Sequence, residues 1–186
     1  QQHSNFILSL YKPYHLISKN YKTHLKYDLR KASKNNLNYR ISFDYTKAIN
    51  LYQKLYQSKI KSLSDYDVKR LKNACLVLQH KNGLCVREVT CQRQGLLAIA
   101  LCLKDHRRIY FIVSSTTQRG RKLKANHFLV DRLIQEFSEK DLLFDFEGSD
   151  LPGVKHFYKN FGAKNQPYFF YRWNLLPWPF RLLKPR

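Results

Sequence analysis

No methionine occurs among the 186 residues, and the chain opens on Gln1, so it reads as an excerpt or processed segment of a longer product. A run of about twenty apolar residues is missing too, which argues against an ordinary membrane-spanning helix. Residues 1–10 lack the charged, apolar, small-residue order of a secretory signal. The expectation is a soluble, cytoplasmic protein. The four cysteines, Cys75, Cys85, Cys91 and Cys102, are separated by nine, five and ten residues, which matches neither paired zinc ligands nor a redox C-x-x-C. They read as buried thiols in a reducing compartment. The seven histidines are scattered, so no metal site is expected. Internal repeats and low-complexity tracts do not occur.

Acidic residues are scarce: 13 Asp and Glu stand against 34 Lys and Arg, a formal net charge of +21. A field of that size attracts polyanions and favours a phosphate-rich partner. A soluble protein with lysine-coated helices has the same composition, so charge alone does not select nucleic acid. What is present in quantity is apolar: 44% of the residues are hydrophobic, enough for the core of one compact domain.

Apolar residues recur as Ile17, Tyr21, Leu25, Leu29 and Ala32, the spacing of one helix over residues 16–32. Its other side carries Lys19, Lys22, Lys26 and Arg30 at spacings of three and four, a basic stripe that either tracks a phosphodiester or is a solvated face. A short strand over residues 39–43 precedes a helix over 45–56. Ser64 with Asp67 three residues on signals a further helix, stopping at Asn82-Gly83, where glycine tolerates the left-handed cap. Residues 84–90, 96–103 and 108–114 are strand-like runs, and their short polar connectors imply antiparallel neighbours. A helix through Ala125, Leu129, Leu133 and Phe137, a buried strand over 142–146, a helix from Pro152 to Gly162 and a last strand over 168–173 complete the core.

Three antiparallel strands followed by helix, strand, helix, strand resemble the core of the GCN5-related N-acetyltransferases (GNAT). Phe157-Tyr158-x-x-Phe161-Gly162-Ala163 is similar to that family's F-Y-x-x-x-G-F/A segment. Asp145-Phe146-Glu147-Gly148-Ser149, then Pro152-Gly153, then Phe157-Tyr158, more particularly resembles the branch related to the Fem-type aminoacyltransferases of cell-wall synthesis, as does the basic helix. The resemblance spans nearly all 186 residues. It implies an α/β (α+β mixed) GNAT-like fold, a mostly antiparallel twisted sheet flanked by helices. On this reading residues 1–186 form a single acyltransferase domain: basic helix and strand over 1–45, core over 46–173, Pro/Trp-rich tail over 174–186. Members of the branch usually have two GNAT-like halves, so the other half is expected upstream of Gln1.

The resemblance also implies a site. Tyr158 matches the tyrosine placed in many members to protonate a leaving thiolate. As one of a stripe with Val154, Phe157 and Phe161, it is equally a core aromatic. Glu147, just past a buried strand, is either the base for an attacking amine or the anchor of its own turn. The loop of Ser115, Gln118, Arg119, Gly120, Arg121 and Lys122 after Val113 resembles in part the family's acyl-CoA loop. Arg121 and Leu123 fall where small residues would let a backbone approach a pyrophosphate; the departure is compatible with a donor held by side-chain cations, and equally such a segment is a solvated basic loop. Ser149 either meets substrate or caps the following helix, and Lys22 and Lys26 are candidate contacts of the basic helix to substrate.

The expected activity is N-acyl transfer to an amine without a metal. The donor is acyl-CoA (acetyl-CoA) or aminoacyl-tRNA, and the acceptor an amine such as a cell-wall precursor. A rival from another class is a non-catalytic nucleic-acid-binding module whose 12 Phe and 13 Tyr stack on bases. The tail mixes Trp173, Trp178, Phe180, leucines and cations, which suits either peripheral membrane association or packing on its own domain.

Overall fold

The computed structural model describes residues 1–56, 64–92, 95–148, 151–171, 173 and 178–179. In chain order these form β1 Gln2–His3, β2 Asn5–Ser9, α1 Tyr14–Lys19, α2 Thr23–Ser33, β3 Asn38–Ser42, α3 Tyr45–Tyr56, α4 Asp65–His80, β4 Leu84–Cys91, β5 Gly95–Lys104, β6 Arg108–Thr116, α5 Gln118–Lys122, α6 Ala125–Phe137, β7 Leu143–Gly148, α7 Pro152–Asn160, β8 Lys164–Asn165 and β9 Tyr168–Phe169. Seven strands make one sheet in the order β3-β4-β5-β6-β7-β2-β8, and β1 pairs separately with β9. Every neighbouring pair is antiparallel except β6 with β7.

The sheet is covered on both faces, and the middle strand shows it: Leu97 to Cys102 of β5 are all buried, an unbroken apolar run rather than an alternation. One face packs against α2 and α6 through Leu25, Ala32, Leu129, Leu133 and Ile134, and the other against α3 and α4 through Ala48, Ile49, Val68 and Cys75. Burying each such Leu or Ile side chain contributes about 2 kcal/mol. A cross-brace ties the first face together. Arg87 of β4 donates to Glu136 of α6 (Nε to Oε2, 2.8 Å), and Tyr39 of β3 donates to the same carboxylate at 2.5 Å.

Local chemistry sets several boundaries. The Ser64 hydroxyl accepts from the Asp67 amide and the Asp67 carboxylate accepts from the Ser64 amide, a complete capping box at the start of α4. At the other end it is Asn82, not Gly83, that turns left-handed (φ 53°), while the Gly83 amide donates back to the Leu78 carbonyl at 2.9 Å. Gly162 takes φ 77° just past α7.

Three expectations fail for tertiary reasons. The single helix over 16–32 is two, broken at residues 20–22. There Tyr21 turns inward onto the Phe161 ring (5.5 Å) and the Lys22 amide donates to the Asn160 carbonyl at 2.9 Å. Residues 5–9, unassigned from sequence, form β2 beside β7. The last strand over 168–173 is replaced by the two-residue β8 and β9, each paired with an N-terminal strand.

β2 pairs along β7 from Asn5↔Gly148 to Ser9↔Leu143, which closes the sheet on that side of β7. The sheet opens between β6 and β7, which share only Arg108↔Leu143, Ile109↔Phe144 and Tyr110↔Asp145. At this junction Arg108 Nη1 donates to Asp145 Oδ2 at 2.8 Å, with the Asp145 side chain 4% and the Arg108 side chain 29% exposed.

Arg108→Ala leaves the Asp145 charge buried without its cation and should cost about 3 kcal/mol in urea unfolding. The double change Arg108→Ala/Asp145→Leu, which buries no charge, should recover most of that loss; equal destabilisation of the two variants would show that the ion pair is not what holds the junction.

Candidate functional site

Beyond Tyr110 and Asp145 the two strands separate, and the space between them is a cleft of about 570 Å³. Its β6 wall presents Ile112, Ser114 and Thr116, its β7 wall Phe146, Glu147 and Gly148, and α7 adds Val154, Phe157 and Tyr158. Tyr52 and Tyr56, one turn apart on α3 with rings 5.0 Å apart, line it from the other side. The aim of β6 depends on a bulge. The register steps from Leu101↔Val113 to Cys102↔Phe111, so Ile112 is an extra residue on β6. An inserted residue bends its strand and redirects the side chains around it. Phe111 and Ile112 both reach the cleft, as do Ser114 and Thr116, while Val113 joins the core on the α3–α4 side.

Glu147 stands at the acidic end. Its backbone is left-handed (φ 61°), a conformation that costs a non-glycine residue about 1 kcal/mol or more and persists only when its surroundings impose it. Two contacts do so. The Glu147 amide donates to Asp145 Oδ1 at 3.0 Å, and Gly148 lies so close to the Ser4 carbonyl that a Cβ would sit 2.6 Å from that oxygen. Burial first, and the Asp145 charge second, raise the Glu147 carboxyl above its ordinary value, with Arg108 pulling the other way. Tyr158 packs among Phe146 (4.8 Å), Phe157 and Phe6. Burial first and the Glu147 charge second push its phenol up to about 12. It therefore keeps its proton at neutral pH and has one to donate.

The opposite end is cationic. A neighbouring space of about 380 Å³, sharing Tyr56, Thr116, Asn126 and Phe157 with the cleft, is bordered by Arg121, Lys124 and His127. Lys124 is the N-cap of α6, left-handed at φ 58°, and offers no side-chain cap. The Phe128 amide donates to the Lys124 carbonyl at 3.1 Å, so the amides of the first turn of α6, beside this space, have no intrahelical acceptor. Lys124 is held from below, its Nζ 3.0 Å from Oδ2 of the buried Asp28 on α2. Burial pushes His127 down to about 4 against the pull of Asp28, so it is neutral at pH 7.

The fate of each residue singled out from sequence is then definite. Glu147 and Tyr158 share the cleft. Val113 and Ser115 are buried, Ser115 fully, and neither lines it. The segment Gln118, Arg119, Gly120, Arg121 and Lys122 is helical, not a loop, and its amides are largely satisfied: Gly120 donates to Thr117 Oγ1 at 3.0 Å and Arg121 to the Thr117 carbonyl at 3.0 Å. Only Gly120 and Arg121 of that segment border the cationic mouth. Gly120 is explained by packing, since a Cβ there would fall 2.2 Å from the Leu97 carbonyl oxygen. Lys22 stands at the N-cap position of α2 without a side-chain cap, Lys26 Nζ donates to the Lys19 carbonyl at 2.8 Å, and the break between α1 and α2 interrupts the stripe. Ser149 lies outside the described residues; the N-cap of α7 is Leu151, with no side-chain cap. Sequence reasoning missed Ser114, whose hydroxyl is 2.8 Å from Asn126 Oδ1, together with Thr116, Asn126 and the Tyr52–Tyr56 pair. The even-numbered alternation along β6 and the one-turn spacing of the tyrosines were the available signals.

No family model matches the chain, and no curated protein matches it in sequence. Solved structures do match. FemX superposes with a TM-score of 0.74 at 13% identity, covering 87% of this chain and 59% of that one. A possible acetyltransferase from Clostridium difficile 630 gives 0.56 at 10%, covering 76% and 99%. The L-PGS of Bacillus licheniformis gives 0.54 at 8%, covering 90% and 60%. The chain thus spans about three fifths of the FemX and L-PGS structures. The chain therefore shares the fold of these three structures, a mixed, mostly antiparallel sheet flanked by helices.

Gly120→Ala should push α5 off β5 and destabilise the protein by about 1–3 kcal/mol, as overpacking does. Faster hydrogen exchange at the Thr117 amide, now bonded to the Leu97 carbonyl at 2.9 Å, would locate the damage; an unchanged denaturation midpoint would contradict this role for the glycine.

Proposed function

We propose that the chain is an N-acyltransferase that moves an acyl or aminoacyl group from a phosphate-bearing donor onto an amine. The observation that supports it is the polarity of the cleft: cations and open helix amides at the α5–α6 mouth, a half-buried carboxylate and a protonated tyrosine at the other end, aromatic rings between. Donor phosphates would meet Arg121, Lys124 and the first turn of α6. The fit differs from the usual coenzyme A cradle, since Gly120 is packed on Leu97 and not held open for a ligand. Both coenzyme A and the phosphodiester end of an aminoacyl-tRNA present the chemistry this mouth accepts.

In the reaction Glu147 takes a proton from the acceptor ammonium, and the free amine attacks the donor carbonyl. Backbone amides on the open edge of β6 stabilise the oxyanion as the C–N bond forms. The C–S bond of a thioester or the C–O bond of a ribose ester then breaks as the Tyr158 hydroxyl supplies the leaving group with its proton, and the second proton of the attacking nitrogen passes to the Tyr158 oxygen and restores it. The raised Glu147 carboxyl brings the base closer to the working pH, where general-base catalysis is efficient. On this reading the acceptor is an amine on a cell-wall or lipid precursor, in keeping with the fold likeness to FemX and L-PGS. A nucleic-acid-binding role has one observation of its own, the surface depression of Tyr27, Arg30, Lys31 and Lys34 on α2 and beyond.

Incubation with labelled acetyl-CoA and with charged tRNA, each with amine acceptors, tests the proposal. Glu147→Gln and Tyr158→Phe should each lower transfer by about 10²-fold or more. The low-pH limb of the rate should titrate above the ordinary carboxylate range and vanish in Glu147→Gln. Salt-sensitive RNA binding with no transfer, and no effect of either change, would favour the binding module instead.

Stability should move the opposite way. The folded carboxyl binds its proton more tightly than the unfolded one, so Glu147 loses folding stability as pH rises from the ordinary carboxylate value through its raised one. Above that window Glu147→Gln should therefore raise the thermal midpoint while removing activity; a lower midpoint at pH 8 would mean that the ionised form is favourably held.

A further inference from the structure

Two distant parts of the sequence meet at one corner of the molecule. β1 joins β9 through Gln2↔Phe169 and His3↔Tyr168, and β2 joins β8 through Phe6↔Asn165 and Ile7↔Lys164. The Phe170 amide extends the first pairing, donating to the Gln1 carbonyl at 2.8 Å. Both segments are free of carboxylate side chains. Asp28 is the first acidic residue of the sequence, and none follows Asp150, whereas cations recur from Lys155 to Arg186. Strand pairing thus concentrates a charge asymmetry that neither segment has alone.

Aromatic side chains lie outside on this corner. Every residue from Lys164 to Tyr171 is exposed, with Phe169 59% and Tyr171 70% accessible; the equally exposed Trp173 (74%) and Trp178 (79%) follow in the sequence. Phe169 and Tyr171, two apart, place their rings 6.2 Å from each other. Tyr168 and Phe170 turn the other way, onto His3 at 5.5 and 6.3 Å. A folded protein that leaves such a cluster in water pays a hydrophobic penalty unless the cluster has a partner.

We propose that this corner is a peripheral docking surface for an anionic lipid bilayer, with Phe169, Tyr171, Trp173 and Trp178 entering the headgroup region and Lys159 and Lys164 meeting lipid phosphates. Charge selects the partner. A second copy of the chain would set +21 against +21 and be repelled. An acidic protein would answer the charge but needs shaped pockets around its anchors, and a ribbon of two residues per strand offers no groove to build them. A bilayer asks only for amphipathic rings at one level with cations beside them, and Trp and Tyr are the residues that settle at that depth. The corner also adjoins the cleft: the Tyr168 ring lies 3.4 Å from where a Cβ on Gly148 would stand, and Glu147 is the next residue. A docked membrane would bring a lipid-borne acceptor to the acidic end of the cleft. That consequence rests on the transfer reading; the docking does not.

The chain has two tryptophans, both exposed and both C-terminal to Tyr171, so their emission reports whether this end of the sequence enters the bilayer. With phosphatidylcholine vesicles containing phosphatidylglycerol, the protein should co-sediment, its emission should shift to the blue, and brominated acyl chains should quench it. With phosphatidylcholine alone it should stay in the supernatant. Phe169→Ser/Tyr171→Ser should lower partitioning at least about tenfold, the order expected for withdrawing two large rings from an apolar phase. Unchanged circular dichroism and thermal midpoint establish that the variant is folded, and unchanged transfer to a soluble amine separates docking from chemistry. Absence of co-sedimentation overturns the proposal. So does co-sedimentation without blue shift that the double variant leaves intact, because adsorption would then be by charge alone. Retention of acidic proteins but not of vesicles would overturn it in favour of a protein partner.

Discussion

The shortness of the ladder between β6 and β7 governs the rest of the molecule. Three residue pairs and the Arg108–Asp145 ion pair at 2.8 Å join these strands, and beyond them each is held by its other neighbour, β6 by β5 and β7 by β2. A parallel pair without further hydrogen bonds must diverge as the sheet twists, and the bulge at Ile112 adds to that twist. The cleft is the geometric result. Its edges are the stretches of β6 and β7 that lie beyond their shared ladder.

The same junction controls the electrostatics. Asp145 accepts from Arg108, from Asn5 Nδ2 at 3.4 Å and from the Glu147 amide at 3.0 Å, so the group that closes the hinge also sets the backbone of the candidate base. On the facing wall Asp28 does the corresponding work for Lys124. Both dependents, Glu147 and Lys124, are left-handed non-glycine residues, one lining the cleft and the other the neighbouring space that adjoins it. Backbone strain of this sort is kept where surrounding structure enforces it. A buried carboxylate thus stands beside each of them.

Much of the fold was legible because its signals are local. Ser64 and Asp67 announce a capping box that forms as read; the apolar periods of α3, α6 and α7 are intact; the three antiparallel strands keep their order. The failures share a cause. β2 is five residues whose partner lies about 140 positions away, and Asn5-Phe6-Ile7-Leu8-Ser9 has no alternation to mark an edge. The break between α1 and α2 is imposed by Asn160 and Phe161, which pull Tyr21 and Lys22 out of a sequence pattern that is helical throughout. Of the site, Glu147 and Tyr158 were visible through a family likeness, whereas Ser114, Thr116 and Asn126 were not, since a bulge of one residue decides which side chains of β6 face the opening.

The amino-acid sequence by itself determined the periods, caps and charge balance of this protein, because those depend on residues within a turn or two of one another. It also set a carboxylate near the end of one strand and a tyrosine on the helix that follows, and the fold brings both to the lining of one cleft. Only the tertiary structure decided where the sheet opens, that the loop after β6 is a helix whose glycine is filled by Leu97, and that two acid-free segments from opposite ends of the sequence share one surface. Each of these is settled by strand pairing between residues far apart, and pairing of that range leaves no trace in local sequence because its free energy comes from contacts that exist only once the chain has closed.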